Sequence, residues 1–262
     1  PKSSKNIDEE IRYPGGSSVN GRWAESAKRG QPDVIRRVAT PPGGIEGSAG
    51  ALLFRSRFTG VPGSPSGQGN QDDLLLQIRS RMRGHLPVSW TPSVVVRVFL
   101  PPWDQWDNAS GTTFGLRADV DGVRRSSGWE EEPYWPGMFI RFAGRARRPE
   151  DNKATILIRA AESGYDFQGP SIIETGWWTL GMSVTPDGKV HYYASQGVEA
   201  LDEDDYIATR NPYGFRAERF KTFFFDICNG DDGRTRSTPW IIDDPAVYWI
   251  PTEARRPSPS QN

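Results

Sequence analysis

Six arginines close short apolar runs: Leu53-Phe54-Arg55, Gln77-Ile78-Arg79, Val95-Val96-Arg97, Gly115-Leu116-Arg117, Phe139-Ile140-Arg141 and Leu157-Ile158-Arg159. A guanidinium is planar and donates two parallel hydrogen bonds, the geometry that suits a carboxylate or a sulfate. Lysine supplies only six of the 32 basic residues, so the positive charge is almost all of this kind. Side chains alternate faces along a strand, so Phe114, Leu116 and Ala118 share one face while Arg117 and Asp119 take the other. The same count puts Arg141 opposite Ile140 and Phe142, and Arg159 opposite Ile156, Ile158 and Ala160. If these strands are neighbours in one sheet, its outer face carries a row of guanidinium groups made by Arg55, Arg79, Arg97, Arg117, Arg141 and Arg159. Two plainer readings stand beside this one. Each arginine lies along apolar surface and pairs with a neighbouring acid, for which Asp119, Glu174 and Asp226 are available; or the arginine excess reflects base composition alone.

A second group of candidates is aromatic. Trp103 and Trp106 lie in Pro101-Pro102-Trp103-Asp104-Gln105-Trp106-Asp107-Asn108, and Trp129, Tyr134 and Trp135 precede Gly137. An indole face stacks on the C–H face of a sugar while nearby Asp, Asn or Gln bind its hydroxyls; the alternative is that these rings plug the open ends of a sandwich. His191 and Tyr193 alternate with Val190, Tyr192 and Ala194, which places them on one accessible face with Trp177, the one place where an imidazole and a phenol meet as candidate acid and base. An ordinary surface histidine fits the same pattern. Cys228, in Phe223-Phe224-Phe225-Asp226-Ile227-Cys228, reads as a small hydrophobe. Asn229-Gly230-Asp231-Asp232-Gly233 offers oxygen ligands for Ca²⁺ but fits no EF-hand loop, and a tight acidic turn explains it equally; no other cofactor is expected. No Walker loop, G-x-S-x-G elbow or kinase set is present, and Asn108-Ala109-Ser110 is a formal glycosylation sequon.

These residues must be positioned by strands. The chain has 262 residues with 28 glycines and 22 prolines, too many breakers for a helical bundle, and ten tryptophans, too many aromatics for a disordered chain. Its net charge of −1 supplies no global drive toward nucleic acid, and one cysteine excludes an internal disulfide or a cysteine-built zinc site. No apolar run of membrane-spanning length occurs, so no membrane insertion is expected. Residues 1–42 read as an irregular lead-in with a short helix at 24–29, packed on or beside a β-sandwich of residues 43–251, and 252–262 as a frayed tail. Strands are predicted at 50–57, 74–79, 94–100, 113–119, 138–142, 155–160, 177–185, 189–195, 222–228 and 240–250, joined by long loops at 62–70 and 122–136. Thr185-Pro186-Asp187-Gly188 between two alternating runs predicts a hairpin, because Asp-Gly supplies the positive-φ turn.

Three pieces carry a family resemblance: residues 47–56 (Gly47-Ser48-Ala49-Gly50-Ala51-Leu52-Leu53-Phe54-Arg55-Ser56), the hairpin from Trp177 to Ala194, and the closing Trp240-Ile241-Ile242-Asp243-Asp244-Pro245-Ala246-Val247-Tyr248. In these the chain resembles the concanavalin A-like lectin/glucanase superfamily, the LamG-like jelly-roll sandwiches, which implies an all-β, antiparallel two-sheet fold. That superfamily holds lectins, glycoside hydrolases and polysaccharide lyases. The Glu-x-Asp-x-x-Glu string of its laminarinase-like hydrolases is missing, which argues against a retaining glucanase. Arg55 and Arg57, Gln77-Ile78-Arg79, and His191 with Tyr193 echo the elements of alginate-type lyases, with Arg79 where a histidine would stand. The expected function is a secreted or periplasmic carbohydrate-binding module for polysaccharide, acidic glycans included, using the arginine row on a concave sheet face with Trp103, Trp106, Trp135 and Trp177. One alternative is a polysaccharide lyase acting on uronate polymers, with Tyr193 and His191 as base and acid; another is an adhesion module with a protein ligand. The export expectation also draws on Pro1 in place of an initiator methionine.

Overall fold

The computed structural model describes residues 17–18, 20–26, 29–56, 59, 69–82, 84–108, 113–123, 131–142, 144–230 and 237–251. Among them, strands form two antiparallel sheets of a jelly-roll-like sandwich. The larger sheet runs β1 (Trp23–Glu25), β4 (Gly69–Leu76), β15 (Arg216–Gly230), β7 (Thr113–Val123), β9 (Gly137–Phe142), β10 (Ala154–Arg159), β11 (Asp166–Ile172), with β5 (Leu86–Pro87) on β15 and β8 (Glu131–Tyr134) on β7. The smaller runs β14 (Tyr206–Arg210), β13 (Val190–Gln196), β12 (Gly176–Val184), β6 (Ser93–Leu100), β16 (Trp240–Tyr248), β3 (Ala51–Arg55), β2 (Val34–Val38). No helix is long and apolar enough to cross a membrane among the described residues.

Alternation builds the core. In β6, Val94, Val96, Val98 and Leu100 are buried between the sheets while Ser93, Val95, Arg97 and Phe99 face out. Phe114, Leu116 and Ala118 of β7 meet them from the other sheet, as the residue pattern predicts. In β15 the parity changes: the register against β7 shifts between Phe220 and Thr222, so Phe220 and then Phe223, Phe225 and Ile227 all enter the core. That bulge turns Lys221 to the outside and leaves Thr222, Phe224, Asp226 and Cys228 on the outer face.

The hairpin forms as predicted. β12 pairs with β13 from Trp178↔Gln196 to Val184↔Val190, the Thr185 and Gly188 amides close the turn, and Gly188 takes φ 77°. Other expectations need correction. Residues 1–42 are not wholly irregular: they supply β1, where the helix at 24–29 was expected, and β2, each an edge strand. Residues 122–136 are not all loop, because β7 continues to Val123 and β8 returns along it. β11 and β14 have no counterpart in the predicted strands. Both lie at sheet edges, where one flank needs no partner, and β11 carries Gly169 and Pro170 in an irregular burial pattern that hides the period of two. The 62–70 loop and the 252–262 tail lie largely outside the described residues.

A Cβ at Gly188 would run into Arg216 and come within 2.7 Å of the Ala217 carbonyl, on a backbone already at positive φ. Gly188→Ala is therefore expected to destabilise the fold by about 2 kcal/mol in urea unfolding; an unchanged midpoint would contradict the hairpin geometry.

Candidate functional site

The six arginines do not form one row. Arg117, Arg141 and Arg159 belong to β7, β9 and β10 of the larger sheet, whereas Arg55 and Arg97 belong to β3 and β6 of the smaller one. Arg79 is on no strand: it opens a one-turn helix, α1 (Arg79–Met82). Alternation separates inside from outside but says nothing of which sheet a strand joins, and that is where the single-row expectation fails. Arg55 donates to the Ser237 carbonyl at 2.6 Å, and Arg97 donates to the Val198 carbonyl at 3.1 Å and pairs with Asp244 at 3.3 Å.

His191 and Tyr193 share the outer face of the smaller sheet, across the sandwich from Arg117, Arg141 and Arg159, so they cannot serve as acid and base to those three guanidiniums. Hydroxyls of Thr185 and Thr209 occupy both imidazole nitrogens at 3.0 and 2.8 Å, and burial holds the His191 pKa below its ordinary value. The Tyr193 ring meets Tyr206 edge-on, 5.9 Å between centroids. Nor do the tryptophans gather into a sugar platform. Trp106 is 2% exposed, packs edge-on against Trp240 and donates to the Pro101 carbonyl. Trp103 stacks on Phe142 at 5.6 Å and Trp177 is buried against Phe99, both acting as packing groups. Trp135 alone of the four stands at the surface, 36% exposed. Trp129 and most of the suggested Ca²⁺ loop, 231–233, lie outside the described residues.

The chemistry concentrates instead on the outer face of the larger sheet. Cross-strand register sets Phe224, Arg117, Gly137, Arg159 and Asp166 in one row from β15 to β11. The row beside it holds Asp73, Asp226, Gly115 and Phe139, with Asp73 directly opposite Asp226. Arg117 is 6% exposed. Its Nε and Nη2 donate to the Trp135 carbonyl at 3.2 and 2.8 Å, Nη2 also reaches the Tyr213 hydroxyl at 3.1 Å, and Nη1 lies 3.5 Å from Asp226 Oδ2. Rings of Phe139 and Phe224 flank the guanidinium at 5.6 and 5.4 Å. Burial works against the Arg117 charge, yet Asp226 and its other neighbours outweigh this and its pKa is raised.

The two acids respond the other way. Burial is the largest influence on both Asp226 and Asp73 and raises their pKa values despite the attraction of Arg117, so the facing carboxyls retain a proton to a higher pH than usual. Asp226 Oδ1 has no hydrogen-bond partner among the described residues, while Asp73 Oδ1 accepts from Gln71 at 2.6 Å. Glycine at 115 is required here: a Cβ would collide with Asp226 Oδ1 and sit 2.9 Å from Phe139.

Over this cluster stands Tyr213, in the turn between β14 and β15, at φ 52° and ψ 32°. A tyrosine rarely takes left-handed backbone, and such outliers concentrate at functional positions. Its hydroxyl donates to the Trp135 carbonyl at 3.1 Å and accepts from Arg117. Arg159 grips Asp166 through Nε and Nη2 at 2.6 and 3.1 Å, which raises its pKa and leaves Nη1 without a described partner. Lys221, put outside by its bulge, pairs with Asp121 at 2.8 Å and Asp119 at 3.2 Å farther along the face. Arg141 is exposed, with no acidic partner among the described residues. The sequence left signals for part of this: a charge within the apolar run of Asp226, and paired acids ahead of Leu74-Leu75-Leu76. Tyr213 sits in Asn-Pro-Tyr-Gly, which marks a turn and nothing more.

No family model matches the chain, and no curated protein matches it. Solved structures of similar layout include an alginate lyase from Pseudomonas aeruginosa (TM-score 0.46, 9% identity, 83% of this chain and 86% of that one). Others are the marine alginate lyase of polysaccharide lyase family 7 from Zobellia galactanivorans (0.43, 13%, 83% and 85%) and a legume lectin-like domain from Entamoeba histolytica (0.42, 9%, 88% and 91%). What they share with this chain is the antiparallel two-sheet sandwich, not one concanavalin A-like or LamG-like family.

The raised pKa of Asp226 has a definite sign in stability. A carboxyl whose folded pKa exceeds its unfolded value stabilises the fold below the unfolded value, near 3.8, and that contribution is lost as pH rises through the folded value. Asp226→Asn should therefore gain on the wild type between about pH 4 and pH 7, by up to about 1.4 kcal/mol per pH unit within the window. Urea unfolding at a series of pH values measures this, and parallel curves would refute the buried, proton-retaining carboxyl.

Proposed function

We propose that the protein is a polysaccharide lyase acting on a uronate polymer laid across the outer face of the larger sheet, with Tyr213 moving the proton. The observation that carries this reading is the Tyr213 phenol, held on left-handed backbone 3.1 Å from a buried guanidinium. The same guanidinium donates a hydrogen bond to the phenol oxygen and holds it in place, the positioning that proton transfer to or from a carbon acid needs.

The step balances within the site. Tyr213, once its phenol proton has passed to solvent, takes the proton from C5 of the uronate, the C5–H pair forms the C4=C5 bond, and the C4–O bond breaks. The phenol then returns its proton to the departing oxygen, which restores the enzyme. The charge that builds on the uronate carboxylate is met by Nη1 of Arg159, in the same row as Arg117. Arg141 lies four residues along β9 from Gly137, about 13 Å at ordinary strand rise, within reach of a neighbouring sugar. Trp135 offers an exposed indole beside Tyr213. Such a polymer is met outside the cytoplasm, so a secreted or periplasmic location, like a place among the concanavalin A-like proteins, belongs to the same proposal.

One observation favours binding without chemistry. The Tyr213 proton already goes to the Trp135 carbonyl, and Arg117 and Arg159 are each paired with an acid, an arrangement that equally suits a rigid lectin surface for acidic glycans. Incubation with polymannuronate, polyguluronate and polygalacturonate separates the readings, because elimination creates double bonds that absorb ultraviolet light. The lyase reading expects that signal, with Tyr213→Phe lowering kcat about 100- to 10,000-fold while the polymer still binds. Retention of polymer with no absorbance from the wild type would replace the lyase by the lectin.

A further inference from the structure

A separate cleft of about 530 Å³ opens where β1, the end of β4 and α1 face β16. Its volume lies in the range of small-ligand sites. Leu76, Met82 and Phe223, all in the core, give it an apolar floor, and the half-buried indoles of Trp23 and Trp249 line it. Its rim carries Arg22 and Arg81, both exposed and neither with an acidic partner among the described residues. The one carboxylate in its wall among the described residues, Asp244, is engaged by Arg97 at 3.3 Å. The opening is therefore positively charged.

Its walls are fixed before any ligand arrives. Trp23 pairs with Leu76 in register, and the turn before it is tied by Trp23 N–H to Ser18 Oγ at 3.0 Å and Arg22 N–H to Asn20 Oδ1 at 3.1 Å. On the far side, β16 bulges between Asp243 and Ala246, with Asp244 at φ 46°. Asp243 braces the bulge, accepting from the Asp244 amide at 2.9 Å and from Ser48 Oγ at 2.6 Å. A non-glycine residue held at positive φ beside a preformed cleft has the character of a ligand site.

We propose that this cleft is a second, non-catalytic carbohydrate site that takes one anionic sugar, its ring against the indoles and its carboxylate or sulfate between Arg22 and Arg81. The proposal rests on the acidic-glycan reading for its ligand class but shares none of the residues assigned to elimination. Tryptophan fluorescence of the full chain tests it, titrated with a trigalacturonate, a sulfated disaccharide and a neutral cello-oligosaccharide. An anionic sugar should bind in preference to the neutral one, and the paired change Arg22→Ala and Arg81→Ala should weaken it about tenfold or more and flatten its salt dependence. Trp249→Ala, a second probe of the same wall, should weaken it too, while the Arg22 and Arg81 changes leave elimination on a short substrate unaltered. Tyr213→Phe should do the reverse, removing elimination and keeping this affinity. Equal binding of the neutral oligosaccharide, or unchanged affinity after the arginine changes, overturns the cleft proposal alone; absent elimination with intact binding here overturns the lyase reading alone. The carboxylated and sulfated arms decide which anion the cleft prefers.

Discussion

A guanidinium held out of water on the outer face of a sheet governs the arrangement around it. Removing an unpaired cation from water costs several kcal/mol, so Arg117 can be buried only where its donors are answered. Asp226, the Trp135 carbonyl and Tyr213 answer them, and the Phe139 and Phe224 rings close the sides. The constraint reaches the backbone. Glycine at 137 leaves room for the Arg117 stem, since a Cβ there would lie 2.6 Å from Arg117 Cγ, and glycine at 115 leaves room for Asp226. Three strands, β15, β7 and β9, are thus tied to one charge.

That network also accounts for the paired acids. Asp73 and Asp226 face each other across β4 and β15 close to Arg117, and burial shifts both toward the protonated form. Two full negative charges in so dry a place would repel each other, and one retained proton relieves that. Arg117 therefore has two tasks: to neutralise what remains and to orient the Tyr213 phenol. Among the described residues, the outer face of the smaller sheet has no such centre. There Arg97 is spent on the Val198 carbonyl and Asp244, and the His191 ring lies between two threonine hydroxyls.

How much of this was legible in the sequence depends on the kind of information each residue carries. Alternation gave the faces of β7, β9, β10 and the β12–β13 hairpin, because a half-buried strand must repeat every two residues. It also set Arg117 outside, and Asp226 was among the acids proposed as arginine partners. Which strands become neighbours is set by packing between residues far apart in the chain, so the splitting of the arginines between two sheets was not visible. Edge strands β1, β2, β11 and β14 were hidden because half their backbone needs no partner and their composition is freer. The β15 bulge moved Lys221 outward against simple parity. Tyr213 owes its position to a turn and its hydrogen bond to Arg117, roughly a hundred residues away, and no local pattern announces either.

The direct measurement of the central claim is a thermodynamic cycle on the buried pair, using Arg117→Met, Asp226→Leu and the double variant in urea unfolding. If Arg117 and Asp226 compensate each other, each single change should cost roughly 3 to 5 kcal/mol and the double change far less than their sum. Strictly additive losses would contradict the account, because Arg117 would then owe nothing to Asp226 and the outer face would have no organising charge.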